Sequence, residues 1–135
     1  MASAWFETTH RLRYNDCDPA GHVNNAVYST MAEAGRTDLM LAAGVYRPDT
    51  PYAMVIVRLE IDFKAEMNWP GDVVIATAVS RIGTKSIHMP QVIRANGKDC
   101  AQALSILAAI DKQTRRAITL DEDWHARFAP WILPA

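Results

Sequence analysis

The sequence predicts an α+β fold in which one long helix is set among antiparallel strands. Three observations carry this. One stretch, residues 24–44, has apolar residues at helical spacing. Residues 54–66, "MVIVRLEIDFKAE", alternate between apolar and charged from Val57 to Lys64. Four β-patterned stretches then follow one another, joined by short turns. Four such strands in succession pair as an antiparallel meander, and one helix covers their apolar face.

The elements follow in order. "WFETTHRLRY" (residues 5–14) mixes aromatic residues, Thr and alternating apolar positions and reads as a strand. "NDCDPAGHV" (15–23) contains Asp-Pro and Gly and reads as a loop. From Asn24 the period changes: Val27, Tyr28, Met31, Ala34, Gly35 and Leu39 recur at three- and four-residue intervals. Asn24 or Asn25 caps this helix by accepting a bond from a free first-turn N–H, and Gly44 ends it. Gly35 lowers helix propensity, so it marks a place where another backbone approaches closely. The small residues Ala32, Ala34, Ala42 and Ala43 point to a helix wrapped by other structure.

In the first strand of the meander, Val55, Val57, Leu59, Ile61 and Phe63 share one face, while Arg58, Glu60, Asp62 and Lys64 share the other. "VVIATAVSRI" (73–82) and "SIHMPQVIRA" (86–95) are the next two strands. Pro90 cannot donate a ladder bond and predicts an edge or a bulge. "NGKD" is a hairpin turn, because Asn-Gly tolerates positive φ. "CAQALSILAAID" (100–111) is the last strand, and "DEDWHARF" (121–128) is a short helix capped by Asp121.

The 135 residues fit one domain, 1–135, able to bury about two thirds of its unfolded surface. Fourteen basic against fifteen acidic residues leave no electrostatic footprint for nucleic acid. No apolar run is long enough for a membrane span, and no signal peptide is evident, so the expected location is cytoplasmic. Cys17 and Cys100 form no CxxC, and His10, His22, His88 and His125 show no metal spacing, so neither a disulfide nor a metal is expected.

The segment "DCDPAGHVNNAVY" (16–28), lying between the first strand and the long helix, resembles the hotdog-fold thioesterases. Within them it is similar to the 4-hydroxybenzoyl-CoA thioesterase-like acyl-CoA thioesterases. The shared pattern is D-x-D-x-x-G-H-V-N-N followed by x-x-Y. The resemblance implies a hotdog fold, a five-stranded antiparallel sheet wrapped around one long central helix. It implies an acyl-CoA thioesterase acting as a homodimer or homotetramer. Coenzyme A enters as part of the substrate, and no cofactor is implied. It makes Asp18 the catalytic carboxylate and the backbone N–H near Asn25 the donor to the thioester carbonyl. It places Glu33 where related enzymes carry an acyl-pocket carboxylate. It assigns CoA phosphates to the corner "SRIGTKSI", with Arg81, Lys85 and Ser86. Arg115 and Arg116 form a second basic pair. Plant acyl-ACP thioesterases carry a similar stretch, but Ala20 replaces the Asn that assists their water.

The chemistry fits these residue types. A helix N-terminus presents bare N–H groups and a positive partial charge, which can serve as an oxyanion hole. Asp18 stands a few residues before it and could attack the carbonyl or activate water. The plainer reading of Asp18 is an Asx turn before Pro19. Asp16 reads as a structural loop carboxylate. Two flanking carboxylates disfavour a Cys17 thiolate. His22 could bond Asp18, orient the loop or contact substrate. Asn24 reads as a cap, and Tyr28 as core or pocket wall. Two other functions fit the same fold: a hotdog hydratase or dehydratase, and a non-catalytic acyl-thioester-binding module. The hydratase pattern G-D-x-N-P-x-H has five residues from Asp to His, whereas Asp16 and Asp18 lie six and four before His22. An acyl carrier protein could also be the thiol donor.

Overall fold

Apolar alternation along the strands places one side chain in two against a single helix in the computed structural model, which describes residues 3–135. Among the described residues the strands are β1 (Phe6–Arg11), β2 (Tyr52–Phe63), β3 (Asp72–Thr77), β4 (Arg81–Ile82), β5 (Ile87–Ala95) and β6 (Lys98–Asp111). They form one sheet in the order β1-β3-β5-β6-β2, with the two-residue β4 beside β5. Every pairing is antiparallel. Helix α1 (Asn25–Ala42) packs on the inner face across β1, β3, β5 and β6. A short α2 (Glu122–Phe128), capped by the Asp121 carboxylate, covers the far end of the core.

The local readings hold. The Asn24 side chain caps α1 by accepting from the Ala26 N–H at 2.9 Å, and Gly44 follows its end at φ +75°. Asn96 and Gly97, at φ +54° and +73°, turn β5 into β6. The meander does not hold as drawn. β2 does not pair with β3, its successor. It pairs with β6 at the far edge, and β1 pairs with β3. The face assignment in β2 also changes. A bulge at Val57 shifts the register between Ile56 and Arg58, so Val55 lies opposite Ala108 on the outer face, while Leu59, Ile61 and Phe63 turn inward with Ile56.

"VVIATAVSRI" is two strands rather than one, because the chain leaves the ladder at residues 78–80. This break faces Pro90. β5 is interior, not an edge, and the irregularity lies in its neighbour. Pro90 lacks an N–H, and its carbonyl accepts from the Ala78 N–H at 3.1 Å. Val79 turns away and bonds the C-terminal segment instead, donating to Trp131 O and accepting from the Leu133 N–H, both at 2.8 Å.

Gly35 marks a close approach, as expected, but of side chains rather than backbone. A Cβ there would overlap Ile75 Cγ2 and lie 3.0 Å from both Gln91 Nε2 and Thr77 Oγ1. The core falls into two apolar clusters, one around Leu39, Met89 and Phe128, the other around Tyr28, Ile75 and Ile93. A polar row lies between them. Buried Gln91 donates to Ala32 O (2.8 Å) and to Thr77 Oγ1 (3.1 Å), and accepts from Ser105 Oγ (2.8 Å). This row ties α1 to β3, β5 and β6 at one height. Gln91→Leu keeps the volume but strips these partners, and is expected to destabilise the fold by about 1–3 kcal/mol, read as a shift in the urea midpoint at unchanged m.

Candidate active site

The loop between β1 and α1 is built by backbone bonds its own side chains complete. A 3₁₀ turn at Tyr14–Asp16 is locked by Asp16, which is buried and accepts from the Arg13 backbone N–H (2.8 Å) and guanidinium (3.0 and 3.3 Å). Asp16 is structural, as its sequence context predicts. Cys17 is half-buried and bridges Val23 through its backbone.

Asp18 starts the turn before Pro19. Its Oδ1 accepts from the Ala20 N–H (2.9 Å) and the His22 N–H (3.3 Å), which is the Asx turn. Its own N–H donates to His22 O at 2.8 Å. Oδ2 makes no hydrogen bond among the described residues. The turn thus holds the carboxylate by one oxygen, and Asp18 lines a cavity of about 310 Å3. That cavity is lined by Asp18, His22, Asn25, Tyr28, Phe63 and Glu66, among others.

Asn25 opens α1. The Ala26 N–H is taken by the Asn24 side chain, and the Val27 N–H by Asn24 O. The Asn25 N–H has no acceptor among the described residues, and Asn25 lines the same cavity as Asp18. A carboxylate oxygen and a bare helix-start N–H on one cavity are the two elements that acyl transfer needs: a base or nucleophile, and an oxyanion donor.

His22 is bonded to Asp18 through its backbone only. Its ring pairs with the Glu66 carboxylate at 3.1 Å, and residue 22 bridges Asn68. Glu66 and Lys64, which also lines the cavity, were not singled out by the sequence, since neither lies in a motif. Tyr28 is both core and wall. It is buried, stacks edge-on against Phe63 with ring centroids 5.0 Å apart, and donates to Ala65 O at 3.4 Å. Burial pushes its hydroxyl pKa upward, so it stays a neutral donor.

The remaining predicted residues lie elsewhere. Glu33 is exposed and sits two turns along α1, beside a different cavity. Arg81, Lys85 and Ser86 stand at the start of β5, where Ser86 Oγ meets His88 Nε2 at 3.4 Å. The Asp18 cavity adjoins the end of β2, which pairs with the start of β6. β5 runs between these two ends, so its length of about 25–30 Å separates the corner from Asp18 within one chain. Among the described residues no cluster of His, Cys, Asp or Glu could hold a metal ion, and no helix is long and apolar enough to cross a membrane.

One antiparallel sheet carrying a single long helix defines the class: a hotdog fold. The chain belongs to the thioesterase-like superfamily, whose family model matches residues 12–128. No curated protein matches it in sequence. Among solved structures it is similar to a predicted thioesterase from Bacillus stearothermophilus, with 27% identity over 97% of this chain and 98% of that one and a TM-score of 0.88. It is similar also to a thioesterase from Thermus thermophilus complexed with coenzyme A and Zn, with 26% identity, 90% and 95% coverage and a TM-score of 0.79. A DHNA-CoA thioesterase from Staphylococcus aureus shares the fold at 22% identity, with 93% and 89% coverage and a TM-score of 0.84.

Proposed function

We propose that the protein hydrolyses an acyl-CoA thioester to the free acid and coenzyme A at the Asp18 cavity. The observation that carries this is that Asp18 and Asn25, whose Oδ2 and N–H have no partner among the described residues, line one cavity. The coenzyme A bound to the Thermus thermophilus relative supports the thiol half. The Asn25 N–H donates to the thioester oxygen as charge builds there. Asp18 either adds to the carbonyl carbon, giving a mixed anhydride that water then cleaves, or takes a proton from the attacking water. In both routes the C–S bond breaks and the thiolate leaves as CoA. The His22–Glu66 pair stands at the cavity mouth and holds the loop against residues 66–68.

The active unit is a homodimer joined along β2. That strand is an edge of twelve residues with Ile56, Val57 and Phe63 exposed by 42%, 60% and 52%. A long apolar edge needs a cover, and a second β2 in antiparallel pairing supplies one. Arg81, Lys85 and Ser86 are too far to serve Asp18 of their own chain, so any phosphate contact they make is to substrate held by the partner.

The test is thiol release from a panel of short, long and aryl acyl-CoA thioesters, with sedimentation run on the same sample. Turnover of at least one thioester by a dimer or larger assembly is expected. Val57→Glu is expected to shift the protein toward monomer. Binding of the whole panel without thiol release would overturn the hydrolytic reading.

A further inference from the structure

Arg36 is a buried cation with too few partners. It is 6% exposed, yet its one hydrogen bond among the described residues is a long 3.5 Å contact from Nη1 to Ser105 Oγ. Its ion pair with Glu33 is 3.9 Å, and the Glu33 side chain is 68% exposed. Burial lowers the Arg36 pKa from its ordinary value, and Glu33 offsets this only in part. A guanidinium has five donors in a planar fork suited to carboxylate. No Arg36 nitrogen among the described residues is both buried and unpaired, so the donors that Ser105 and Glu33 leave free are the ones water can reach.

The open side of Arg36 faces a cavity of about 420 Å3. Met40, Tyr46, Met54, Ile56 and Leu107 give it an apolar and aromatic side, and Glu33 and Thr37 stand with Arg36 on its polar side. It lies in the seam between α1 and β2. The Asp18 cavity lies in the same seam, bounded by Tyr28 of α1 and Phe63 of β2. Leu59 and Ile61, half-buried and inward-facing, lie between Ile56 and Phe63 along β2. Eleven residues of helix, about 16 Å, separate Asn25 from Arg36. Helical side chains lean toward the N-terminus, so Arg36 reaches back along the seam toward Asn25.

We propose that the Arg36 cavity is the acyl-tail subsite, and that Arg36 makes the enzyme prefer acyl groups ending in a carboxylate. An apolar chain fills the seam, and its terminal carboxylate takes the fork that Ser105 and Glu33 leave open. Glu33 can swing into solvent as the anion enters, whereas Arg36 is fixed by burial. This inference rests on the thioesterase reading.

The experiment compares kcat/KM for octanoyl-CoA and suberyl-CoA, which match in length and differ in the terminal carboxylate. The wild type is expected to favour suberyl-CoA by about tenfold or more, the value of a charge-assisted hydrogen bond. Arg36→Gln is expected to abolish or reverse that ratio, mainly through KM for suberyl-CoA. Arg36→Lys keeps the charge and is expected to retain part of the preference. Thr37→Glu sets a like charge on the cavity wall, and is expected to lower the ratio even if Arg36→Gln does not fold. Equal turnover of both substrates by the wild type, or a ratio unmoved in the Arg36 and Thr37 variants, would overturn the subsite while leaving the thioesterase standing. Loss of the dimer in Arg36→Gln and Arg36→Lys with no wild-type preference would make Arg36 an interface group instead. No hydrolysis of any thioester would remove the thioesterase reading, and the subsite with it.

Discussion

Asp18→Asn is expected to lower kcat by about 10²–10⁴-fold without loss of the fold, the range for removing a positioned base or nucleophile. The asparagine matters to the design. Its Oδ1 can still accept from the Ala20 and His22 N–H groups, so the Asx turn survives. What disappears is the anionic Oδ2 over the cavity. Asp18→Ala removes both at once and mixes loop disorder with lost chemistry. Thiol-release kinetics and a thermal melt on the same preparation separate the two: turnover falls while Tm stays within a few degrees. A kcat for Asp18→Asn within threefold of wild type would move the chemistry off this residue. A single turnover in H₂¹⁸O reveals the anhydride route where water attacks the aspartyl carbon. Cleavage of an anhydride at the aspartyl carbon leaves label in Asp18, whereas direct attack by water places it in the product acid alone.

Gly35→Val is expected to destabilise the protein by about 3 kcal/mol or more. At roughly 3 °C per kcal/mol for a chain of this size, Tm should drop by about 10 °C. Two effects oppose each other at this position. Any side chain gains helix propensity over glycine, by at most about 1 kcal/mol. Against that, the first carbon already overlaps Ile75 Cγ2, and Ile75 is fully buried in β3 with nowhere to retreat. Valine's two further methyls enter the space of Thr77 Oγ1 and Gln91 Nε2, so the polar row is disturbed as well. Overpacking of this kind typically costs about 1–3 kcal/mol before any hydrogen bond is lost. An unchanged Tm for Gly35→Val would mean that helix and sheet separate there more readily than the contacts indicate.

The division between what the sequence reveals and what it hides follows interaction range. The Asn24 and Asp121 caps, the Asn96-Gly97 turn and the period of α1 are written within a few residues of where they act, and each is found in place. Partner choice among strands is not local. Short turns suggest neighbour pairing, yet β2 waits for β6, across β3, β4 and β5. The Val57 bulge is invisible because one inserted residue leaves the alternation looking intact while reversing the faces beyond it.

At the site, Asp18 and Asn25 are legible because loop and helix start are contiguous. Glu66 is not, since its partner His22 lies 44 positions away and no motif links them. Arg36 hides for another reason. On a helical wheel a lone Arg beside Glu33 and Thr37 reads as solvated surface, and only the sheet's edge shows that it is enclosed. The corner with Arg81, Lys85 and Ser86 looks like part of one site until the sheet is assembled and places it at the opposite end.

Pro90 gives residues 131–133 a task. By facing a break in the adjacent strands it frees Val79, which is fully buried, to find backbone partners elsewhere, and these are Trp131 and Leu133. A chain growing from its N-terminus therefore carries an unfilled slot in its sheet until residue 133 has been added. Residues 131–133 behave as a latch on that slot. A fusion partner or tag joined directly after residue 131 would meet that latch before it met solvent.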